Sequence, residues 1–402
     1  MASTPPKYSI VIPILNGVKT FQHSLREMLK IDRDDIEWVI SDNHSEDNLL
    51  DVIREVNDPR IRVVTPKERL PIGKNLEFAY LAARGDWQGH LGDDDMIFPS
   101  RFAYMDALMA SDRRIEIFKG EWVRYHWPDF LPGTMANTVE SAIFSGGHRI
   151  RPAIETAREL MNVAVVPGGA SWTVHRSVID KVRQRCGFFA SAQHVEFFAM
   201  RAACTVADRI AELNFPVWVL GRHLNSAGTF AFAKPIPALQ NEQKKFEWSF
   251  EDPDNWKHCP FQFKTYGTIS LDAALTVHHE FQDIIGDTPI HWISWARKIL
   301  DDLAVMMNNG KLDARAFEMF KRQILSMEAM MSTQGPAAPQ PKETTQKPVT
   351  MDGFGWQRFD GALVDIHTVA DVPRWVESTF PRHFIPRREN DPIPSGAGLD
   401  LP

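Results

Sequence analysis

The stretch GDWQGHLGDDD, from Gly85 to Asp95, decides how the rest of the chain is read. Gly85 closes a helical pattern, Trp87 to Leu91 is a short apolar run, and Asp93, Asp94 and Asp95 follow Gly92. A strand that opens onto three aspartates places their carboxylates at its C-terminal end, where open α/β sheets bind ligands. Like charges this close repel, so they persist only if solvated, used as a helix cap, or neutralised by a cation. Hard oxygen donors suit Mg²⁺ or Mn²⁺, whose coordination shells are commonly completed by water and substrate phosphates. The plain alternative is a solvated loop that caps the helix starting near Pro99.

The pattern upstream argues against that alternative. Tyr8 to Pro13 (YSIVIP) reads as a buried strand stopped by Pro13, and Asn16-Gly17 as a turn. Phe21, Leu25, Met28 and Leu29 recur at helical spacing, which predicts an amphipathic helix over 18–30. A second strand is predicted over 36–41, ending in the polar run Asp42 to Asp47. Leu49, Val52, Ile53 and Val56 line the next helix, with Ser45 or Asp47 as its cap. A third strand over 60–65 and a third helix over 72–83 lead back to Gly85. Strands alternating with helices imply right-handed crossovers and a mainly parallel sheet flanked by helices.

Composition narrows the classes. The 402 residues carry a net charge of −7, which argues against a nucleic-acid partner. Cys186, Cys204 and Cys259 show no paired spacing, as expected of a reducing compartment without a disulfide framework. The N-terminus has no apolar region ahead of a cleavage site, and no apolar run approaches the ~20 residues that span a bilayer. The expected location is cytoplasmic, with peripheral contact at the inner face of a membrane left open.

Four segments in order now carry a resemblance: IVIPILN after the first strand, SDNHSED after the second, GKNLEFAYLAARGDWQGHL, and GDDD. Residues 8 to about 100 resemble the nucleotide-binding half of a family 2 glycosyltransferase with the GT-A fold, a Rossmann-like half sheet. The resemblance implies a nucleoside-diphosphate sugar as donor, and inversion at the anomeric carbon by direct displacement. It gives Asp42 to the imide N3–H of a uracil or thymine ring, which favours a UDP- or dTDP-sugar. Pro13 and Asn16 would flank the base and ribose, or simply end the strand and turn the chain. Asn75 would either cap its helix or bind the nucleotide. Asp93 is matched to the ribose and Asp94 to the metal, Mn²⁺ or Mg²⁺. Asp95 stands beside them, as a further metal ligand or as a supporting or capping residue. Gly92 occupies the place where the family more usually has an aspartate.

In the second half, a helix is predicted from Arg101 to Ala110 and one or two strands from Ile115 to Tyr125. Residues 126–152, rich in Pro, Gly and His, read as a surface loop over the acceptor side. A strand over 171–175 carries Trp172, which either stacks on an acceptor sugar or belongs to the core. A helix over 177–184 follows. The family places an acidic general base near the start of the next helix, where this chain has His194 and then Glu196. Either side chain is chemically able to serve, with the family position favouring His194. After a last strand over 215–220, Arg222 and His223 read either as a phosphate clamp and a metal ligand or as part of an exposed polar loop.

The expected organisation is a GT-A domain over 1–230, divided at about residue 100 into donor and acceptor halves. A helical extension over 231–332, a polar Pro-rich linker over 333–350 and a tail over 351–402 follow. Phe354, Trp356, Trp375 and Phe380 require that part of the tail docks on the body or on a second subunit. The acceptor implied by the resemblance is a saccharide or lipid-linked saccharide in surface-polysaccharide assembly. Two rivals remain. One is a sugar-phosphate nucleotidyltransferase, for which PILNGVKT is a poor phosphate loop. The other is a non-catalytic nucleotide-sugar or glycan-binding protein that has lost its base.

Overall fold

The computed structural model describes residues 5–129, 136–142, 144–163, 168–190, 195–223, 258–261, 263–332, 357–361 and 366–379. The first half alternates β1 (Tyr8–Ile14), α1 (Val18–Met28), β2 (Ile36–Asp42), α2 (Leu49–Val56), β3 (Ile61–Val64), α3 (Ile72–Ala82) and β4 (Trp87–His90). Then come β5 (Met96–Ile97), α4 (Ser100–Ser111), β6 (Ile115–His126), β7 (Thr138–Ser141), β8 (His148–Pro152) and α5 (Ala153–Leu160). A 3₁₀ turn (Gly169–Ser171) leads into β9 (Trp172–His175), α6 (Arg176–Cys186), α7 (Val195–Val206) and β10 (Arg209–Arg222). Among the described residues α8 (Tyr266–Glu280), α9 (Gln282–Ile285), α10 (Trp292–Asn308) and α11 (Ala314–Ser332) follow. The described tail contains β11 (Gln357–Asp360), a 3₁₀ turn (Val369–Asp371) and α12 (Val372–Thr379).

The strands form one sheet in the order β11-β7-β6-β9-β4-β1-β2-β3, with β10 paired to β5, β6 and β8. Pairing is parallel across β4-β1-β2-β3 and between β6 and β10. It is antiparallel where β9 inserts between β4 and β6. The expected parallel order therefore holds for the first four strands, and the sheet is mixed beyond β4. Both faces are covered, which explains the unbroken apolar run of β1. Ile10, Ile12 and Ile14 join a core with Phe21 and Leu25 of α1 and Phe102 of α4. Val11 points to the opposite core, with Leu76, Ala79 and Tyr80 of α3.

Two expectations need correction. Pro13 does not stop β1, which runs on to Ile14 with Pro13 opposite Ser41. Pairing with β4 has ended at Val11 by then, so the missing proline N–H breaks no ladder on that side. Residues 126–152 are not one surface loop. Thr138–Ser141 pairs with β6, and His148–Pro152 pairs with β10. Gly146 and Gly147, at φ 70° and 71°, supply only the turn ahead of β8. Trp172, for its part, is buried in the core beneath Lys119, as the second of its two readings expects.

The helices after residue 263 share the core of the sheet's second face, where Leu271, Trp295 and Ile299 join Phe198 and Ala202 of α7. Arg201, fully buried, fastens this seam. Its guanidinium donates to the carbonyls of Leu160, Phe197 and Val163 and to Ser270 Oγ, and burial holds its pKa down at about 9. At the other end of the sheet β11 pairs with β7, and Ile366, Val369, Val372 and Val376 pack into the core that contains Phe21. Trp375 lies against the same core, and Arg374 reaches Glu27 of α1 at 3.4 Å. Phe354, Trp356, Phe380 and the linker 333–350 lie outside the described residues.

Phe21 stands where α1, β1 and the tail meet, with no exposed surface. Phe21→Ala should therefore cost about 3–5 kcal/mol in urea unfolding, with an unchanged denaturant slope.

Candidate active site

The first strand ends meet through their turns. Asn16 adopts φ 56°, in the left-handed region that asparagine tolerates better than most residues. Its N–H donates to Ser45 Oγ at 3.0 Å, and its side-chain Oδ1 accepts from the Glu46 N–H at 2.6 Å. Asp42, buried at the end of β2, accepts the Ser45 N–H on Oδ1 at 2.8 Å. Asp47 accepts from Val18 N–H, so it caps α1 across the turn as well as touching Leu49 of α2. Asn75 caps nothing, because Pro71 holds that position of α3. It is a buried strut whose amide oxygen accepts from Ser41 Oγ at 2.7 Å.

At the end of β4 the three aspartates separate into two roles. Asp93, Asp94 and His223 each bring a ligating atom within 4.8 Å of the other two. His223 Nε2 stands 3.6 Å from Asp94 Oδ2. A Cβ on Gly17 would fall within the Asp93 carboxylate, so the Asn16-Gly17 turn is packed directly on this group. Asp95 lies outside this group. Its Oδ2 accepts the Gly92 N–H and its Oδ1 the Gly221 N–H, each at 2.9 Å. It therefore binds the turn after β4 to the exit of β10, the segment that delivers Arg222 and His223.

Burial, and then the charge of Asp94, push the pKa values of Asp93 and Asp95 well above the ordinary carboxylate range. The Arg222 guanidinium is held down at about 10 by its own burial and by Arg124, while Asp94 acts in the opposite sense. Among the described residues no carboxylate reaches ion-pair distance of Arg222.

Glu196 stands in the first turn of α7, and His194 lies outside the described residues. Burial raises the Glu196 pKa. The space of a Cβ on Gly169 is taken by its neighbours: His90 Nε2 stands 2.6 Å from that position and Glu196 Cβ 2.7 Å. His90 ends β4, and its Nδ1 lies 3.0 Å from the Tyr80 hydroxyl. Burial, then Arg101, lowers the His90 pKa to about 4, so the ring is neutral at physiological pH. Glu196 is thereby placed beside the strand that carries the aspartates.

Several residues of the site have no strong local signal. Ser24 of α1 donates to the Asp95 carbonyl at 2.6 Å, and Trp127 Nε1 donates to the Asp94 carbonyl at 3.3 Å. His90 reads as an ordinary strand residue, and only the paired glycines of PGGA hint at close approach around Gly169. A cavity of about 520 Å³ lies between α1 and the tail, lined by Glu27, Lys30, Met96, Pro99 and Arg374 and by none of the site residues.

The parallel half sheet thus carries a carboxylate group at the end of β4 and a buried aspartate at the end of β2. Residues 9–183 match the profile of glycosyl transferase family 2. No curated protein matches the chain. Among solved structures, S. aureus TarS 1–349 in complex with UDP-GlcNAc is 13% identical, covering 81% of this chain and 92% of that one at a TM-score of 0.47. The same protein in complex with UDP is 15% identical, with 82% and 92% covered and a TM-score of 0.43. A mycobacterial protein is 17% identical, with 61% and 73% covered and a TM-score of 0.37. At these identities and scores the likeness is distant. No helix of the described residues is long and apolar enough to cross a membrane.

The raised carboxylate values have a pH signature. Metal-free native protein keeps protons on Asp93 and Asp95 that the unfolded chain releases near pH ~4. Stability should therefore fall as pH rises from about 4 towards the folded pKa values, and a divalent ion should flatten the dependence. Thermal unfolding across pH, with and without Mn²⁺ and in Asp93→Asn, measures it. A slope unchanged in Asp93→Asn would show that this carboxyl is already ionised in the native state.

Proposed function

We propose that the protein is a metal-dependent, inverting glycosyltransferase that uses a UDP- or dTDP-sugar and transfers to a hydroxyl of a saccharide or lipid-linked saccharide. The observation that carries this reading is the convergence of Asp93, Asp94 and His223 at the end of β4, on the same edge of the sheet as Asp42 at the end of β2, with β1 between them. Two carboxylates and an imidazole fit a divalent ion, and the nitrogen donor favours Mn²⁺ over Mg²⁺. Asp94, Asp93 and His223 would hold it, with Asp93 also offered to the ribose. When bound, the ion supplies Lewis-acid stabilisation of charge on the departing diphosphate. Arg222 adds a fixed positive charge for the same phosphates.

Asp42 accepts the imide N–H of the base, while Pro13 and Asn16 border the base and ribose. Asn75 supports β2 from behind by its bond to Ser41. The acceptor hydroxyl loses its proton to a general base as its oxygen attacks the anomeric carbon. The bond from that carbon to the phosphate oxygen breaks, and its electron pair leaves with the nucleoside diphosphate. His194 and Glu196 are the candidates for the base. Glu196 is supported by its place beside His90 and by a pKa moved towards the working range.

Two measurements test this. Asp94→Asn should weaken Mn²⁺-dependent UDP binding at least tenfold in calorimetry, and Asp42→Ala should weaken UDP binding by a charge-assisted hydrogen bond, roughly 1.5–3 kcal/mol. Unchanged binding in both would remove the donor site from these strand ends. For the base, Glu196→Gln should cut transfer by ~10²–10⁴-fold with donor binding retained, and should remove one limb of the pH–rate profile. If His194→Ala has that effect and Glu196→Gln does not, the base is His194. If neither does, the start of α7 is not catalytic.

A further inference from the structure

We propose that His258, His279 and Glu280 form a second divalent-metal site, suited to a nitrogen-preferring ion of the Zn²⁺ type and separate from the strand-end carboxylates. One ligating atom of each residue lies within 4.8 Å of the other two. The two imidazoles stack, with centroids 4.8 Å apart and planes at 30°, and the Glu280 carboxylate stands 3.5 Å from His279 Nδ1. The three residues come from two segments. His279 and Glu280 occupy the last turn of α8, whereas His258 precedes that helix.

The arrangement is fixed from behind. Asp272, wholly buried within α8, accepts the backbone N–H of His258 at 2.7 Å and also that of Cys259. The segment holding His258 is thus pinned to the body of the helix whose end presents the other two ligands. Phe281, buried just past that end, donates its N–H to the Val277 carbonyl and holds the last turn closed. The C-terminus of a helix carries partial negative charge and favours a cation. The neighbouring cation, Arg185, donates to the Glu280 carbonyl and pairs with Asp283, so its charge is already engaged.

The donors determine the ion. Two imidazoles and one carboxylate are a set that binds Zn²⁺ with a position left for water. Imidazole suits Zn²⁺ and Ni²⁺, whereas Mg²⁺ and Ca²⁺ prefer oxygen. The His279 and Glu280 side chains are 67% and 38% exposed, which leaves room for water in the remaining positions. The site shares no residue with Asp93, Asp94 and His223, so its ion would clamp the segment at 258 to the end of α8 without entering the transfer reaction.

The test is calorimetric titration of Zn²⁺ into the full chain with Mg²⁺ in excess, paired with thermal unfolding. Wild type and Asp94→Asn should both bind Zn²⁺ and both gain melting temperature. His279→Ala, at an exposed position, should lose the shift and weaken binding by more than the ~10–100-fold typical of losing a supporting residue. Glu280→Gln should fall between. Co²⁺ bound to wild type should show visible d–d absorption that His279→Ala lacks. Absence of Zn²⁺ binding in wild type would overturn the proposal. So would unchanged affinity in His279→Ala, or a thermal shift lost in Asp94→Asn but kept in His279→Ala.

Discussion

The Asp95 carboxylate, buried between two chain segments more than a hundred residues apart, holds the site together. One oxygen takes the N–H of Gly92 and the other that of Gly221. A buried acceptor left without such partners would cost about 1–3 kcal/mol, so the two segments are stable together and expensive to separate. The turn after β4 is braced further by Ser24 and Trp127, which bond to the carbonyls of Asp95 and Asp94. With the backbone fixed on both sides, Asp93 and Asp94 face His223 in spite of their mutual repulsion. That repulsion, together with desolvation, is the tension that raises the carboxyl pKa values, and positive charge would relieve it.

The interior contains cations that serve structure rather than ligands. Arg101 is wholly buried and lies against the carbonyls of Ala170 and Val217 and the Thr173 hydroxyl. Its charge contributes to keeping His90 neutral. Arg201 does comparable work between α5, α7 and α8 by satisfying several carbonyls at once. Guanidinium suits this use because its five donors lie in a fixed plane and its hydration is weaker than that of an ammonium.

The first hundred residues were legible because their structure is local. Alternating apolar strands and helical spacing place β1 through β4, and the turn residues Asn16, Asp42 and Asp93 fall at strand ends for the same reason. What escaped depends on pairing at long range. Nothing near Asp95 announces Gly221 as its partner, so its bonds to the two backbone N–H groups left no local trace. The strands at 138–141 and 148–152 were hidden by the prolines and glycines around them, and the second pairs with β10, which is distant in sequence. His90 and Glu196 both pack close against Gly169, where a side chain would not fit, and no periodicity records that. Asn75 was expected to contact the ligand or cap its helix, and its bond to Ser41 shows how one buried amide can hold a helix to a strand end.

The return of the tail to α1 bears on how the chain is made. Residues 366–376 complete the core around Phe21, and the Tyr125 hydroxyl donates to the His367 carbonyl. A ribosome therefore releases the first helix long before the residues that cover it exist. Throughout synthesis of the intervening three hundred or so residues, part of an apolar face formed early stays open to water and to other nascent chains. Packing around the first helix therefore cannot be completed in the order of translation, but only once residues 366–376 have emerged. Chains that end before residue 366 would carry that open face permanently.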